Sequence, residues 1–372
     1  MASLRSCDDY QGLWRVLTMK TKFFLIGSAS LLAAATGATA ADPVVMIEPV
    51  TASYVEACDA FGSGYFYIPG TETCLDIGGY VRFETKFGGI QTGSAADGDW
   101  YPYVKTNLAI TAKSDTELGT LTSKFVPELY FYSNGTGDDF TIDEAYIDIG
   151  DALALRAGYI KGYWNEDLWG ELDNIDNVSR YNAIRIAYNG ADHFQAALEI
   201  DAMTPGNVGL SDTNYPKLGL AARLGYIVSD SNYFKFDAAW DTYNETYALR
   251  PWAGFGIGPG TFEIAGLYES GFIAYGPDFT AANWNDSPIA GTYLKYAVAA
   301  NYYFNVTENL ILAPQTQYNV ASNDKAFWEA GATADWEIVD DFHLRTNINY
   351  AFLDDSWNQQ NWFGWVRLER DF

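Results

Sequence analysis

Along most of the chain, apolar and charged residues alternate with a period of two, in one short stretch after another. In residues 74–87, for example, Ile77 and Phe83 fall on one face of an extended strand, and Arg82 and Glu84 fall on the other. Because successive side chains of a β-strand point to opposite faces, each of these strands has one apolar face that must be covered. We count about sixteen such stretches, each long enough to cross a bilayer at a tilt.

The connections between these stretches also alternate, since short ones such as SDTE, GD, NGAD and GPG are followed by longer ones such as DAMTPGNVGLSDTNYP. A soluble sandwich has no reason to sort its connections by side, whereas an up-and-down membrane barrel has short turns at one end and longer loops at the other. The sequence therefore predicts an all-β fold, a transmembrane antiparallel up-and-down β-barrel of about sixteen strands. Its apolar side chains would face lipid and its charged side chains a wet lumen.

The N-terminal part of the chain reads as an export signal preceded by an extension. Residues 1–18 resemble neither a signal nor a domain, and we predict Met19 as the biological start. Residues 19–40 contain a cationic beginning, an apolar run and a small-residue Ala-Thr-Ala end, which is typical of a cleaved signal peptide. A membrane anchor is the alternative, but the small-residue content favours cleavage. The exported chain would comprise an N-terminal segment, 41–73, and the barrel, 74–372.

Cysteine usage agrees with export. Cys7 lies upstream of the predicted start, which leaves Cys58 and Cys74 as the only pair in the exported chain. In an oxidising compartment we expect these two residues to form a disulfide, and two unpaired thiols are the alternative. Closing a loop of this size would contribute about 3 kcal/mol in the chain-entropy model.

Composition limits the partners and cofactors. A formal net charge of −26 argues against unspecific nucleic-acid binding and suits a protein that meets water, cations or a cation-bridged lipid surface. An aromatic content of 16% fits interfacial girdles in a membrane. We predict no cofactor, no metal site and no enzymatic activity, because His193 and His343 are isolated histidines. Acidic loops could hold calcium, although none has the residue order of an EF-hand.

One acidic stretch, residues 159–178, interrupts the strand pattern between two amphipathic strands. Its carboxylates need water or cations, so we predict that it folds into the lumen and narrows it. A surface loop of a soluble β-protein is the alternative interpretation. The predicted constriction residues are Glu166, Asp167, Glu171, Asp173 and Asp176.

The stretch CDAFGSGYFYIPGTETCLDIGGYVRFE, residues 58–84, is characteristic in wording, and the pattern extends to the terminal VRLERDF. In these residues the chain resembles the alphaproteobacterial outer-membrane porin family of general diffusion porins. The resemblance implies a sixteen-stranded barrel in the bacterial outer membrane, usually a homotrimer, that passes small hydrophilic solutes by passive diffusion. It also implies that the loop after the fifth strand is the constriction. The terminal Phe372 resembles the signal read by the outer-membrane assembly machinery.

Cations on the barrel wall would face the acidic loop and set up a transverse field at the narrowest point. By inward parity the candidates are Arg82, Lys105, Lys124, Arg156, Arg185 and Arg367. Because ion choice follows charges at close quarters, we predict a weak preference for cations, in line with the net acidity.

Two other functions fit the same sequence. One is a substrate-specific channel on the same barrel, which an aromatic ladder in the lumen and saturable block by one solute would favour. The other is an exported soluble β-protein such as an adhesin or lectin, which extraction only by detergent would exclude.

Overall fold

The computed structural model describes the chain in eight ranges. They are 56–88, 100–132, 138–170, 180–190, 192–203, 217–277, 292–352 and 362–372. The predicted upstream extension, 1–18, and signal peptide, 19–40, lie outside these ranges and stay predictions. Within these ranges, no helix is long and apolar enough to cross a bilayer.

Seventeen strands form one antiparallel sheet, and the sixteen from β2 to β17 make the barrel wall. In order they are β1 Phe66–Tyr67, β2 Cys74–Gly88, β3 Tyr101–Thr116, β4 Gly119–Tyr132, β5 Asp139–Gly150, β6 Leu153–Lys161, β7 Arg180–Asn189, β8 Phe194–Met203, β9 Lys217–Ser229, β10 Asn232–Asp241, β11 Thr246–Ile257, β12 Gly260–Glu269, β13 Leu294–Thr307, β14 Leu310–Ala321, β15 Ala326–Val339, β16 Phe342–Phe352 and β17 Trp362–Asp371. Each wall strand pairs with its sequence neighbour, which confirms the up-and-down topology.

The sheet closes because β17 pairs with β2, from Phe363 opposite Gly88 to Asp371 opposite Tyr80. Phe372 extends this seam, since its amide and carbonyl exchange hydrogen bonds of 3.0 Å with Gly79. Closure pairs the edge strands that an open sheet would expose. The C-terminal residue is thus part of the seam. That the outer-membrane assembly machinery recognises Phe372 stays a prediction.

The two faces of the wall have opposite chemistry. On β7 and β8, Ile184 and Leu198 point outward with 54% and 69% of their surface exposed, while Arg185 and Glu199 point inward and are buried. The same parity holds around the barrel, as the alternating sequence predicts. A protein with apolar residues outside and charged residues inside is stable where lipid surrounds it.

The barrel has a long-loop end and a short-turn end. Connections such as 117–118, 151–152 and 258–259 join strands at the short-turn end, and the longer 162–179 and 270–293 join them at the other. Exposed aromatic residues ring both ends, as membrane-interface girdles do. At the long-loop end they include Trp240, Tyr247, Tyr268, Tyr296, Trp328, Phe352 and Trp362, and at the short-turn end Phe194, Tyr226, Phe234, Phe255, Trp336 and Phe372.

The predicted disulfide between Cys58 and Cys74 is confirmed, and both cysteines are buried. It ties a short hairpin to the start of β2, where Phe66 and Tyr67 of β1 pair with β2. Lys113 of β3 packs over the Tyr65 ring at 5.2 Å and so helps to hold the hairpin at the short-turn end.

We expect the Cys58→Ser/Cys74→Ser variant to destabilise this hairpin by about 3 kcal/mol, because the bond closes a loop in the unfolded chain. The protection of the Tyr67 and Ile68 amides against hydrogen exchange, which hydrogen bonds to Glu56 and Thr73 now provide, should fall. Amides in the middle of β10 serve as the internal control. Equal protection of the hairpin amides in the variant and the unmodified protein would contradict this role.

Candidate pore constriction

The chain that follows β6 runs inside the barrel along its wall. Arg250 of β11 holds this stretch by its backbone: its guanidinium donates to the carbonyl of Tyr163 at 2.6 Å, of Trp164 at 3.2 Å and of Glu166 at 3.1 Å. The Arg250 side chain is only 1% exposed, so these bonds form in a site that excludes water. We call residues 162–170 the inward loop.

The Glu166 side chain is the electrostatic anchor of the inward loop. Its carboxylate forms ion pairs with Arg223 of β9 and Lys235 of β10. Buried Asp237 completes the network, because it pairs with Arg223 at 2.6 Å and with Arg250 at 3.0 Å. Burial acts to raise the pKa of Glu166, but the charges of Arg223 and Lys235 lower it by more, so this pKa lies below its usual range.

The inward loop continues toward the later strands. The Trp169 amide donates to Glu263 of β12 at 2.9 Å, and the Gly170 carbonyl accepts from Asn347 of β16 at 3.0 Å and from Thr333 of β15. The inward loop therefore lines the wall from β9 to β16. The polar wall residues there satisfy loop backbone groups that would otherwise lack partners.

A second inward segment, residues 271–277, follows β12. Tyr275 is fully buried, with its ring centroid 5.4 Å from that of Tyr181 and 6.3 Å from that of Trp164 in the inward loop. The Tyr181 hydroxyl donates to the Ala274 carbonyl at 2.6 Å. The two inward stretches thus pack against each other inside the barrel.

The wall is shaped to receive Tyr275. Its hydroxyl donates to Asp201 of β8, and burial raises the pKa of this tyrosine. A Cβ at Gly219 of β9 would lie 2.0 Å from the Tyr275 hydroxyl oxygen, so only glycine leaves room there. Among the described residues, the inward loop and the second inward segment thus occupy this side of the lumen.

A cavity of about 390 Å³ is lined by residues of β2 to β6. Its charged lining residues are four cations, Arg82, Lys105, Lys124 and Lys161, and three carboxylates, Glu128, Asp143 and Glu144. Asp143 pairs with Lys161 at the end of β6, at 2.8 Å, and also with Arg180 at the start of β7. It therefore contacts the two strands that connection 162–179 joins. The lining carries both signs of charge despite the acidity of the whole chain.

The six predicted wall cations all point into the barrel, and each pairs with a carboxylate on a neighbouring strand. Three of them, Arg82, Lys105 and Lys124, line the cavity. Arg185 donates a hydrogen bond of 2.6 Å to the Lys161 carbonyl, next to the start of the inward loop. The pairs are Arg82–Glu369, Lys105–Glu128, Lys124–Glu144, Arg156–Asp148, Arg185–Glu199 and Arg367–Glu84. Their role in ion selection stays a prediction.

Of the predicted constriction residues, Glu166 and Asp167 lie on the inward loop, Glu166 in its ion pairs and Asp167 exposed. Glu171, Asp173 and Asp176 lie outside the described residues. The loop after the fifth barrel strand therefore enters the lumen as expected.

Sequence reasoning missed the partners of Glu166. The alternation in residues 217–226 and 233–241 puts Arg223 and Lys235 on the charged face of their strands, but parity does not say which of many inward cations faces the loop. Arg250 lies in a stretch with weaker alternation, residues 248–257, so the sequence did not predict that its side chain points inward. These three cations, 57 or more residues from Glu166 along the chain, meet it only in the closed barrel.

The sequence comparisons agree with this architecture. The sequence model of the porin subfamily matches residues 42–369. Outer membrane protein IIIA of Rhizobium leguminosarum bv. viciae is 34% identical over 89% of this chain and 90% of its own length. Porin Omp2b of Brucella canis is 29% identical over 95% of this chain and the full length of that protein.

Solved structures show the same fold at low sequence identity. The outer membrane channel DcaP of Acinetobacter baumannii aligns over 82% of this chain and 99% of its own, with a TM-score of 0.61 and 12% identity. A triple mutant of Rh. blastica porin aligns over 80% of this chain and all of its own, with a TM-score of 0.54 and 11% identity. By sequence and by fold, this chain belongs to the porin subfamily of outer-membrane β-barrels.

Proposed function

We propose that this protein forms a water-filled channel through which small hydrophilic solutes and ions cross the bacterial outer membrane by passive diffusion. The observation that carries the proposal is the cavity lined by β2 to β6, because it is lined by ionised side chains within a wall whose outer face is apolar. Lipid solvates the outside of such a barrel, and water fills the inside.

The lining determines what passes. Lys105 and Glu128 lie 2.8 Å apart, and Lys124 and Glu144 lie 2.9 Å apart, so paired charges face the passage. A polar solute replaces its lost water with hydrogen bonds to these groups, whereas an apolar solute gains nothing for displacing the ordered water. The channel therefore favours hydrophilic solutes.

Reconstitution tests the proposal. Purified protein added to a planar bilayer in 1 M KCl should give stepwise, long-lived increases in current, because each inserted barrel adds one aqueous path. The same protein unfolded by heating in detergent is the control. A correctly folded barrel, shown by heat-modifiable migration, that leaves the bilayer electrically silent would contradict the proposal.

We expect neutralisation of the predicted constriction acids to raise the permeability of anions relative to cations. The variant is Glu166→Gln/Asp167→Asn/Glu171→Gln/Asp173→Asn, and the measurement is the reversal potential in a salt gradient. Asp324→Asn, which neutralises an exposed carboxylate at the long-loop end, is the control. An unchanged reversal potential in the fourfold variant would remove these residues from the selectivity filter.

We further propose that the protein is a homotrimer and that lipopolysaccharide is its lipid neighbour. We also propose that the outer-membrane assembly machinery recognises Phe372. The family relationship supports all three proposals.

We propose only a weak preference of the channel for cations, because the cavity lining is mixed in charge. Calcium at the acidic loops remains a minor proposal, and among the described residues no cluster of three or more His, Cys, Asp or Glu could hold a metal ion. We assign the chain no catalytic activity.

A further inference from the structure

A panel of four tyrosines lines the lumen between the cavity and the long-loop end. Tyr101 and Tyr103 of β3 and Tyr130 and Tyr132 of β4 all have the inward parity of the cavity residue Lys105. In five of the six ring pairs the centroids lie 5.8 to 6.3 Å apart, and the Tyr130 and Tyr132 rings are nearly parallel, at 13°. We call these four residues the tyrosine panel.

The tyrosine panel leads directly into the cavity. Lys105 is opposite Tyr130 in the sheet, and its ammonium lies 5.1 Å from the centre of the Tyr130 ring. The same ammonium lines the cavity and pairs with Glu128. A solute that enters from the long-loop end on this side therefore meets aromatic rings first and paired charges next.

Hydrogen-bonding groups surround the rings. The Tyr103 hydroxyl donates to Glu84, and the Tyr130 hydroxyl donates to Glu128 at 3.1 Å. Lys86, with 42% of its side chain exposed, lies 5.8 Å from the Tyr103 ring. Aromatic surface combined with a few placed donors and acceptors is the composition of a small-molecule site.

The charges around the tyrosine panel exclude ionic ligands. A cation on the Tyr103 or Tyr130 ring would meet the ammonium group of Lys86 or Lys105, which already lies over that ring at 5.8 or 5.1 Å from its centre. An anion would find each ammonium beside a carboxylate, since Lys86 lies 3.8 Å from Glu84 and Lys105 lies 2.8 Å from Glu128. The balanced pairs favour a neutral ligand that both donates and accepts hydrogen bonds.

We propose that the tyrosine panel is a binding site for neutral sugars, at which short oligosaccharides bind before they pass the constriction. The C–H faces of a sugar ring pack on aromatic surface, and its hydroxyls hydrogen bond to the lysine–glutamate pairs. Successive inward residues of a strand are about 6.6 Å apart, so the panel suits a ligand of two or three sugar units. This inference rests on the proposed channel function and adds a solute class to it.

Block of the ion current by maltotriose tests the inference. With unmodified channels in a planar bilayer, we expect maltotriose to reduce the potassium chloride current saturably, while the open-chain polyol sorbitol reduces it only as far as its viscosity does. The Tyr130→Leu/Tyr132→Leu variant keeps apolar volume but removes two rings, so its half-blocking concentration should rise on the order of tenfold. Tyr130→Phe/Tyr132→Phe keeps the rings and should give a smaller increase.

Tyr226→Leu/Tyr268→Leu is the matched control, because both of these tyrosines face outward, with 52% and 41% of their surface exposed. Its half-blocking concentration should equal that of the unmodified protein. Conducting channels without saturable block, or a block that survives Tyr130→Leu/Tyr132→Leu unchanged, would overturn the sugar site and leave the channel intact. A protein that does not conduct in sugar-free salt would overturn the channel itself and the site with it.

Discussion

Replacing Arg250 by methionine should release the inward loop and destabilise the barrel. The variant keeps the length of the side chain but loses the donors to the Tyr163, Trp164 and Glu166 carbonyls, and it leaves Asp237 with one guanidinium fewer. Leaving a buried polar group without its hydrogen-bond partner costs about 1 to 3 kcal/mol. Asp237 keeps its pair with Arg223, but three loop carbonyls lose their donor, so we expect a loss of about 3 kcal/mol.

Two measurements check the effect of Arg250→Met. Denaturant unfolding in detergent micelles should show the lower stability, and single-channel recordings should show more current noise, because the loop is held less firmly. Arg345→Met is the matched control, since Arg345 also pairs with two carboxylates on the wall but is 28% exposed. Its loss should stay below about 1 kcal/mol. Equal behaviour of the two variants would show that the loop needs no arginine anchor.

Reversing one charge in the cavity should change ion preference more than any neutral substitution. Lys124→Glu changes the cavity lining from four cations and three carboxylates to three cations and four carboxylates. It also places a new carboxylate beside Glu144. At about 8 Å in water, two units of charge change the energy of a passing monovalent ion by about 1 kcal/mol. We therefore expect the permeability of cations to rise on the order of fivefold at low salt, and that of anions to fall by a similar factor.

Lys295→Glu makes the same change of charge at an exposed pair, Lys295–Asp324, and serves as the control. Reversal potentials in potassium chloride gradients should differ between the two variants at low salt and converge at 1 M, because the Debye length falls to about 3 Å there. A Lys124→Glu channel with the ion preference of the Lys295→Glu channel would place the selectivity filter elsewhere than this cavity.

The strands of the barrel could be predicted from the sequence because their signal is local. Consecutive residues of a strand point to opposite faces of the sheet. Ile184 and Arg185 can therefore be assigned to opposite faces without any knowledge of the fold. The alternation of short and long connections supplied the topology. The disulfide followed from having only Cys58 and Cys74 in an exported chain, and the pairing is confirmed.

The location of the constriction was predictable in part. The acidic stretch between two strong strands had no apolar face to bury, and its first part, including Glu166, does enter the lumen. The second inward segment was not predicted, because residues 271–277 contain no charge run and their apolar residues look like those of any loop. Tyr275 is buried there only because Gly219 and Asp201 make room and provide a hydrogen-bond partner.

The sequence alone thus determined which faces meet lipid and water, since a period of two is a property of neighbouring residues. Tertiary structure alone decided which charges pair across the lumen. Arg223, Lys235 and Arg250 lie on three successive strands and converge on residues 163–166 because closure of the sheet brings them there. Strand parity says that a side chain points inward, but its partner inside depends on barrel diameter, strand tilt and register, which belong to the whole sheet.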